Sequence, residues 1–294
     1  MTEQSMVLVT GATGNVGRQV VSQLLGTRSG VRALTRNPDS AGLPDGVELV
    51  RGDLSDPGTL NAGLDGVEAV FLVWPFLTAE AAPAVLEVVG KHVHRIVYLS
   101  SMGVRDDVDE QADPINQFHA DLERLIEKSG LAWTFLRSHS FATNALWWAP
   151  QIRADGVVRE PHGAAARPVI HEQDVAAVAV HALTGDGHGG ATYCLTGPQV
   201  LTQIEQVRII GEAIGRALRF EEISPEAGRQ KMLAAGWPPS VVNGLLNAYA
   251  RMITQPVPVT STVQEITGIP PRTFRQWAID HANDFRPSHA VGNS

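Results

Sequence analysis

Three glycines stand three apart in TGATGNVGRQVV, at Gly11, Gly14 and Gly17, between the apolar run MVLV and an amphipathic segment. Glycine inside an element costs roughly 0.5–1 kcal/mol relative to alanine, so the cluster marks a place that side chains would obstruct. A tight strand-to-helix turn leaves the first helical N–H groups unpaired at the positive end of the helix dipole, which suits an anion. Gly11 permits the turn, Gly14 allows close approach and Gly17 lets the helix pack on its strand. The pyrophosphate of a dinucleotide is the ligand this arrangement fits. The spacing differs from the commoner G-x-G-x-x-G. The context strengthens it: a strand before, a helix after, and a second strand about twenty residues on.

That second strand ends VRALTRNP, with Arg36 where an NAD site would place an acidic residue for the ribose 2′-hydroxyl. A guanidinium suits a 2′-phosphate through bidentate, charge-assisted bonds, which favours NADP(H) over NAD(H). Arg32 either assists or is a strand-start residue reaching to solvent. Asp53, in GDLSD, is placed either to hold an adenine amino group or to cap the next helix. Further on, His119 and Glu123 lie one helical turn apart on one face. Such a histidine donates a proton or hydrogen-bonds a carbonyl, or else it orients a ribose or closes a helix contact; Glu123 then pairs with a neighbouring arginine. Phe141, Trp147 and Trp148 form an aromatic group that either lines a flat apolar pocket or seals one layer against another. The remaining histidines show no metal-ligand spacing, and no metal is expected.

These residues need elements to hold them. Apolar, β-branched runs alternate with helical patterns through the first half: strands at 6–10, 31–35, 47–53, 67–74, 94–101 and 131–138, and helices at about 15–27, 60–66, 78–92 and 115–129. Runs apolar almost end to end mark strands covered on both faces, so the expected fold is α/β, a Rossmann-type doubly wound parallel sheet. A smaller, mostly helical C-terminal substrate lobe is expected to follow. The expected division is 1–138 with 164–198 as the NADP-binding core, 139–163 with 199–287 as the lobe, and 288–294 as a disordered tail.

Composition excludes whole classes. A net charge of −8 with only three lysines argues against a nucleic-acid backbone binder. No apolar run approaches the ~18 residues of a membrane span, and no signal-peptide pattern opens the chain. The lone Cys194 reads as a strand-core thiol rather than a nucleophile. A cytoplasmic protein is expected, with a small, aromatic substrate, a homodimer as one option, and neither nucleic acid nor membrane as partner.

Together GATGNVG, RNP, GDLSD, VFLVWP and IVYLSSMGV resemble the NmrA-like, atypical short-chain dehydrogenase/reductase family, and the resemblance spans nearly the whole chain. HADLERLIEKSGLAWTFLRSHSFATN, HEQDVAAVAVHAL, YCLTGPQVLT and GIPPRTF are similar to the family's NAD(P)H-dependent quinone reductases. The resemblance implies that Gly11, Thr13, Gly14, Asn15, Val16 and Gly17 cradle the pyrophosphate, with Arg36 at the 2′-phosphate and Asp53 and Leu54 at adenine. Val73, Trp74 and Pro75 would line ribose and nicotinamide, Ser100 would lie beside the nicotinamide ribose, and Asn144 would face the nicotinamide and substrate end. His119 would be the catalytic candidate, and Met102, Phe141, Trp147 and Trp148 the substrate pocket.

The Tyr-x3-Lys pair of ordinary short-chain dehydrogenases, in which the cation lowers the tyrosine pKa, is missing: Tyr98, Tyr193 and Tyr249 have no lysine four residues on. Quinone-like or aromatic carbonyl acceptors, needing mainly positioning and shelter, therefore fit best, as in the tailoring of a polycyclic natural product. The alternatives are a non-catalytic NADP(H)-sensing regulator acting through a protein partner and, ranked lowest, an enone reductase, whose site usually holds a lysine.

Overall fold

The strand Val67–Leu72, VEAVFL, buries every side chain except that of Glu68, the burial of a strand covered on both faces. In the computed structural model, described over residues 5–255 and 257–286, it is the central member of the sequence's alternation. The first half runs β1 (Met6–Val9), α1 (Asn15–Leu24), β2 (Gly30–Thr35), β3 (Glu48–Arg51), α2 (Asn61–Leu64), β4 (Val67–Leu72), α3 (Ala82–Val89), β5 (Arg95–Ser101), α4 (Pro114–Lys128) and β6 (Ala132–Ser138). The second half continues α5 (Ala149–Ala154), β7 (Val157–Glu160), β8 (Ala166–Arg167), α6 (Glu172–Thr184), β9 (Ala191–Leu195), β10 (Leu201–Thr202), α7 (Gln203–Ile214) and β11 (Arg219–Glu222). It closes with α8 (Pro225–Ala234), α9 (Pro239–Thr254), α10 (Thr262–Thr267), α11 (Phe274–Asp280) and α12 (Ala282–Phe285).

By packing, the chain divides into two units. The first holds the chain to His139 with Glu172–Leu195 and Ser261–Pro270. Its seven-stranded sheet, in the order β3-β2-β1-β4-β5-β6-β9, is parallel throughout. This is the doubly wound Rossmann-type arrangement that the apolar runs imply. Helices α1 and α6 pack as one layer, and α2, α3 and α4 as the other. The apolar stripe Val16, Val20, Val21 and Leu24 seats α1. Helix α4 is started by Asp113, whose side chain accepts from the Asn116 N–H, with Pro114 in its first turn. The strand order reverses between β1 and β4, which puts a crevice beyond their carboxyl ends, where ligands of such sheets bind.

The second unit holds Ser140–His171, Thr196–Thr260 and the chain from Pro271. Its core gathers Trp148, Ile152, Ile210, Phe274, Trp277 and Phe285. Its two small sheets pair β7 with β11 in parallel and β8 with β10 antiparallel. The units differ from the sequence-based division at His139, which falls in the first unit, at 196–198, which fall in the second, and in two longer segments. Residues 164–171 cluster with the second unit, since β8 pairs with β10 through Arg167↔Leu201; Ser261–Pro270 cluster with the first, where α10 packs on α6 and β9. The tail expected to be disordered, 288–294, lies outside the described residues. Cys194 is half-buried on β9 rather than in the core. Among the described residues no helix is long and apolar enough to cross a membrane.

Candidate active site

At the crevice, Thr10 closes β1 by linking to β4: its N–H donates to the Phe71 carbonyl at 3.0 Å, and its hydroxyl accepts from the Val73 N–H at 2.8 Å. Gly11 follows with φ +59°, and a Cβ there would lie 2.9 Å from the Val73 Cβ. The turn and the approach of the two strand ends both require glycine. Gly17 requires it more severely, since its Cβ would fall 2.2 Å from the Gly11 oxygen. Gly14 caps α1 with extended backbone and no side-chain cap, so the N–H groups of the first turn, at Asn15, Val16 and Gly17, face the loop without a capping acceptor. A glycine cradle at a helix N-terminus, with Gly11, Thr13, Gly14 and Asn15 exposed, fits a dinucleotide pyrophosphate.

A cavity of about 510 Å³ runs from this loop to the tip of β2. Gly11, Thr13, Arg36, Asp53, Leu54, Val73 and Pro75 line it, together with Asn37, Ser40 and Phe76, which the sequence reading passed over. Asn37 and Ser40 were legible as polar neighbours of Arg36 in RNPDS; Phe76 carried no signal of its own. Arg36 is exposed, and among the described residues its side chain makes no hydrogen bond or ion pair. The Arg51 guanidinium donates to its carbonyl at 3.0 Å, so two cations stand at the ends of β2 and β3. Asp53 does not cap a helix: its carboxylate accepts from the Ser55 N–H at 2.8 Å, while Asp56 occupies the cap position of the following helical turn. That backbone bond, and to a lesser extent Arg36, holds the Asp53 carboxyl below the usual carboxylate range. Arg32 is half-buried, donating to the carbonyls of Gly63 and Asp65 and pairing with Glu48 at 2.9 Å.

Four expected site residues are placed differently. Trp74 is 7% exposed and belongs to the core, its indole N–H donating to the Thr78 carbonyl at 2.8 Å. Ser100 is buried, and its hydroxyl donates to Glu123 Oε1 at 2.5 Å rather than standing free for a ribose. Met102 is half-buried, with its N–H on the Ser138 carbonyl, and Phe141 bridges to Ile170; neither lines either of the two cavities described here.

Helix α4 carries no proton relay of the tyrosine-lysine kind. His119 Nδ1 hydrogen-bonds the Tyr98 hydroxyl at 2.5 Å, and its ring stacks against Phe118 with centroids 4.2 Å apart. Burial pushes its pKa down to about 3, so the imidazole is neutral at physiological pH. Burial, reinforced by the nearby Glu123 charge, pushes the Tyr98 phenol far up, so it stays protonated. Glu123 is gripped by Arg137, with Nε at 3.0 Å and Nη2 at 2.6 Å. Arg137 also holds Asp106 at 2.9 and 2.6 Å. Burial works against the Arg137 charge, but the two carboxylates outweigh it and keep the guanidinium protonated.

Within the second unit lies another cavity, of about 300 Å³. Asn144 lines it beside an aromatic wall of Trp147 and Trp148, joined by Trp237, whose ring meets Trp147 edge-on at 4.8 Å between centroids. Trp237 sits in GWPPS, which in the sequence reads as an interruption between helices and hides its part in the wall. Arg167, Lys231 and Tyr249 add polar and aromatic lining from elements that no spacing connects.

A family profile described as NAD(P)H-binding matches residues 11–186. The chain is 42% identical over 287 residues to the (4-alkanoyl-5-oxo-2,5-dihydrofuran-3-yl)methyl phosphate reductase of Streptomyces griseus, covering 96% of this chain and 100% of that protein. It is 34% identical to the NAD(P)H azoreductase of Xenophilus azovorans, over 95% of this chain and 99% of that one. The NADPH-dependent quinone oxidoreductase of Escherichia coli, solved with NADPH, shares the fold with a TM-score of 0.76 at 22% identity, over 93% of this chain and 98% of that one. With its glycine-cradled helix and parallel sheet, the chain belongs to the NAD(P)H-binding family and is an NAD(P)H-dependent oxidoreductase.

Proposed function

We propose that this oxidoreductase uses NADPH to reduce an electron-poor conjugated acceptor, a quinone-like or aromatic carbonyl compound. The observation that carries this is the state of α4: His119 is neutral and bound to Tyr98, and Glu123 is locked to Arg137. His119 therefore has no imidazolium proton to donate at neutral pH, and both oxygens of the Glu123 carboxylate are held by Arg137. Ketone–alcohol interconversion needs a proton delivered as the hydride moves. An acceptor whose reduced form delocalises its charge takes the proton from water afterwards and needs chiefly positioning and exclusion of competing reactions. The names of the relatives, a reductase of an unsaturated lactone and an azoreductase, describe acceptors of the same electronic kind.

NADPH, when bound, supplies the hydride. Gly11, Thr13, Gly14, Asn15, Val16 and Gly17 hold its pyrophosphate through loop and helix N–H groups, and Asp53 and Leu54 flank adenine. Val73 and Pro75 flank the ribose toward the nicotinamide. Arg36 binds the 2′-phosphate, with Arg51 adding charge beside it, and this makes NADPH preferred over NADH. The aromatic wall of the second unit, with the Asn144 carboxamide, receives the planar acceptor.

Purified protein supplied with NADPH and then NADH, against a panel of benzoquinones, naphthoquinones, anthraquinones and simple ketones, tests this. Consumption of NADPH is expected with quinones and not with ketones. Equal rates with ketones, or no rate above background with any quinone, overturns it.

A further inference from the structure

We infer that the acceptor carries an oxyanion, and that Arg167 in the second unit's cavity is the residue that recognises it. The inference rests on the reading of the chain as a reductase of conjugated acceptors and adds the chemical class of the substituent.

Arg167 ends the two-residue strand β8 and is 2% exposed, yet it lines the cavity of about 300 Å³. Its Nε and Nη1 are buried with no hydrogen-bond partner, and among the described residues no carboxylate pairs with it. The guanidinium stacks on Tyr249, with Cζ 4.5 Å from the ring centroid. Such stacking returns less than a guanidinium loses when it leaves water, so the charge stands incompletely compensated. The carboxylate in the same wall, Glu160, is occupied: Lys231 Nζ holds it at 2.5 Å and Gln151 Nε2 at 3.1 Å. That pair is close to neutral, which leaves Arg167 as the unbalanced charge of the cavity.

Buried charges in proteins are paired, and a planar fork with free donors is shaped for a phosphate, sulfonate or carboxylate. The remainder of the wall suits the body of the same ligand: Trp147, Trp148 and Trp237 offer flat apolar surface, and Asn144 an amide with no side-chain bond among the described residues. A conjugated ring bearing an oxyanion satisfies both halves of the site; a neutral quinone satisfies only one. The Tyr249 ring backs the guanidinium, so Arg167 is positioned before the ligand arrives.

The test uses the full chain and a matched pair of probes, naphthoquinone and its sulfonate. Binding is read by quenching of tryptophan fluorescence, reduction by NADPH consumption. Wild type is expected to bind the sulfonate about tenfold or more tightly than the parent, the range of one charge-assisted hydrogen bond. Arg167→Met should abolish that ratio and Arg167→Lys restore part of it, with NADPH affinity as the control for folding. Should Arg167→Met fail to fold, competition in the wild type decides: inorganic phosphate or benzoate displaces the sulfonate and leaves the parent bound. Whichever competitor acts at lower concentration assigns the natural group as phosphate or carboxylate. Equal affinity for the two probes, a ratio untouched by Arg167→Met, or displacement by neither anion overturns the inference. Arg167-dependent binding without reduction of either probe leaves the anion site standing and fells the reductase reading. Reduction of both probes with no Arg167-dependent ratio does the reverse.

Discussion

Gly14 and Gly17 lie one turn apart, yet the structure gives them different duties, and alanine at each separates packing from ligand approach. A Cβ on Gly17 would lie 2.2 Å from the Gly11 oxygen, 2.7 Å from its carbonyl carbon and 3.0 Å from Ala12 Cα. All three are backbone atoms and none can change rotamer, so α1 must move away from the end of β1 by about an ångström. Overpacking of this kind costs about 3 kcal/mol, the upper end of its usual range, and alanine's helix preference returns about 1. The net loss of about 2 kcal/mol lowers Tm by roughly 4–8 °C in a chain of this size. At Gly14 the Cβ would lie 3.2 Å from the same oxygen, on backbone at φ −79°, ψ 174° that any residue adopts. Gly14→Ala therefore keeps its Tm within about 2 °C. With the pyrophosphate held at this loop as proposed, the methyl obstructs its approach, and NADPH affinity is expected to fall tenfold or more. Thermal unfolding without cofactor, paired with NADPH titration by fluorescence, reads both quantities. A Gly17→Ala protein with wild-type Tm, or a Gly14→Ala protein with wild-type NADPH affinity, would refute the reasoning.

Three further outcomes follow from named contacts. Arg36→Ser is expected to raise the NADPH Kd by roughly 10–100-fold and leave NADH within a factor of about two, since one charge-assisted bond to a phosphate is worth about 1.5–3 kcal/mol; equal losses for both cofactors would remove Arg36 from the 2′-phosphate. His119, with its folded pKa near 3 against an ordinary 6.5, stays neutral in the native state while the unfolded chain takes up a proton. Stability is therefore complete above pH 6.5 and falls as pH drops toward 3, by up to about 1.4 kcal/mol per unit. His119→Gln should flatten that part of the urea-unfolding profile relative to wild type, and parallel profiles would contradict the burial argument. Glu123→Ala strips the buried Arg137 of one of its two carboxylates and Ser100 of its acceptor, for a loss of about 3 kcal/mol or more in urea unfolding; a loss under about 1 kcal/mol would show that Asp106 alone suffices.

Much of the first unit could be read from one dimension because its information is local. The glycine loop, the doubly apolar strands and the arginine at the tip of β2 each follow from a few adjacent residues. Backbone geometry and periodicity then dictate the element, and the order of elements dictates the parallel sheet. Trp74 and Ser100 show the limit of that reasoning. Both were expected in a cofactor wall, but side-chain direction is decided by the partner each finds, the Thr78 carbonyl only four residues on for the indole and Glu123, on another element, for the hydroxyl. His119 was legible as a candidate group. That it is neutral depends on burial beside Tyr98 and Phe118, which no spacing encodes.

The sequence by itself determined the fold class, the glycine turn ahead of α1 and the absence of a Tyr-x3-Lys pair, since each is a property of contiguous residues or of helical spacing. Only the tertiary structure decided which charges are balanced. Glu123 is paired with Arg137, Asp53 is turned onto Ser55, and Arg167 is left uncompensated against Tyr249, with Trp147, Trp148 and Trp237 gathered nearby from distant segments. Charge compensation and desolvation are sums over neighbours in space, and the chain brings those neighbours together only when it folds.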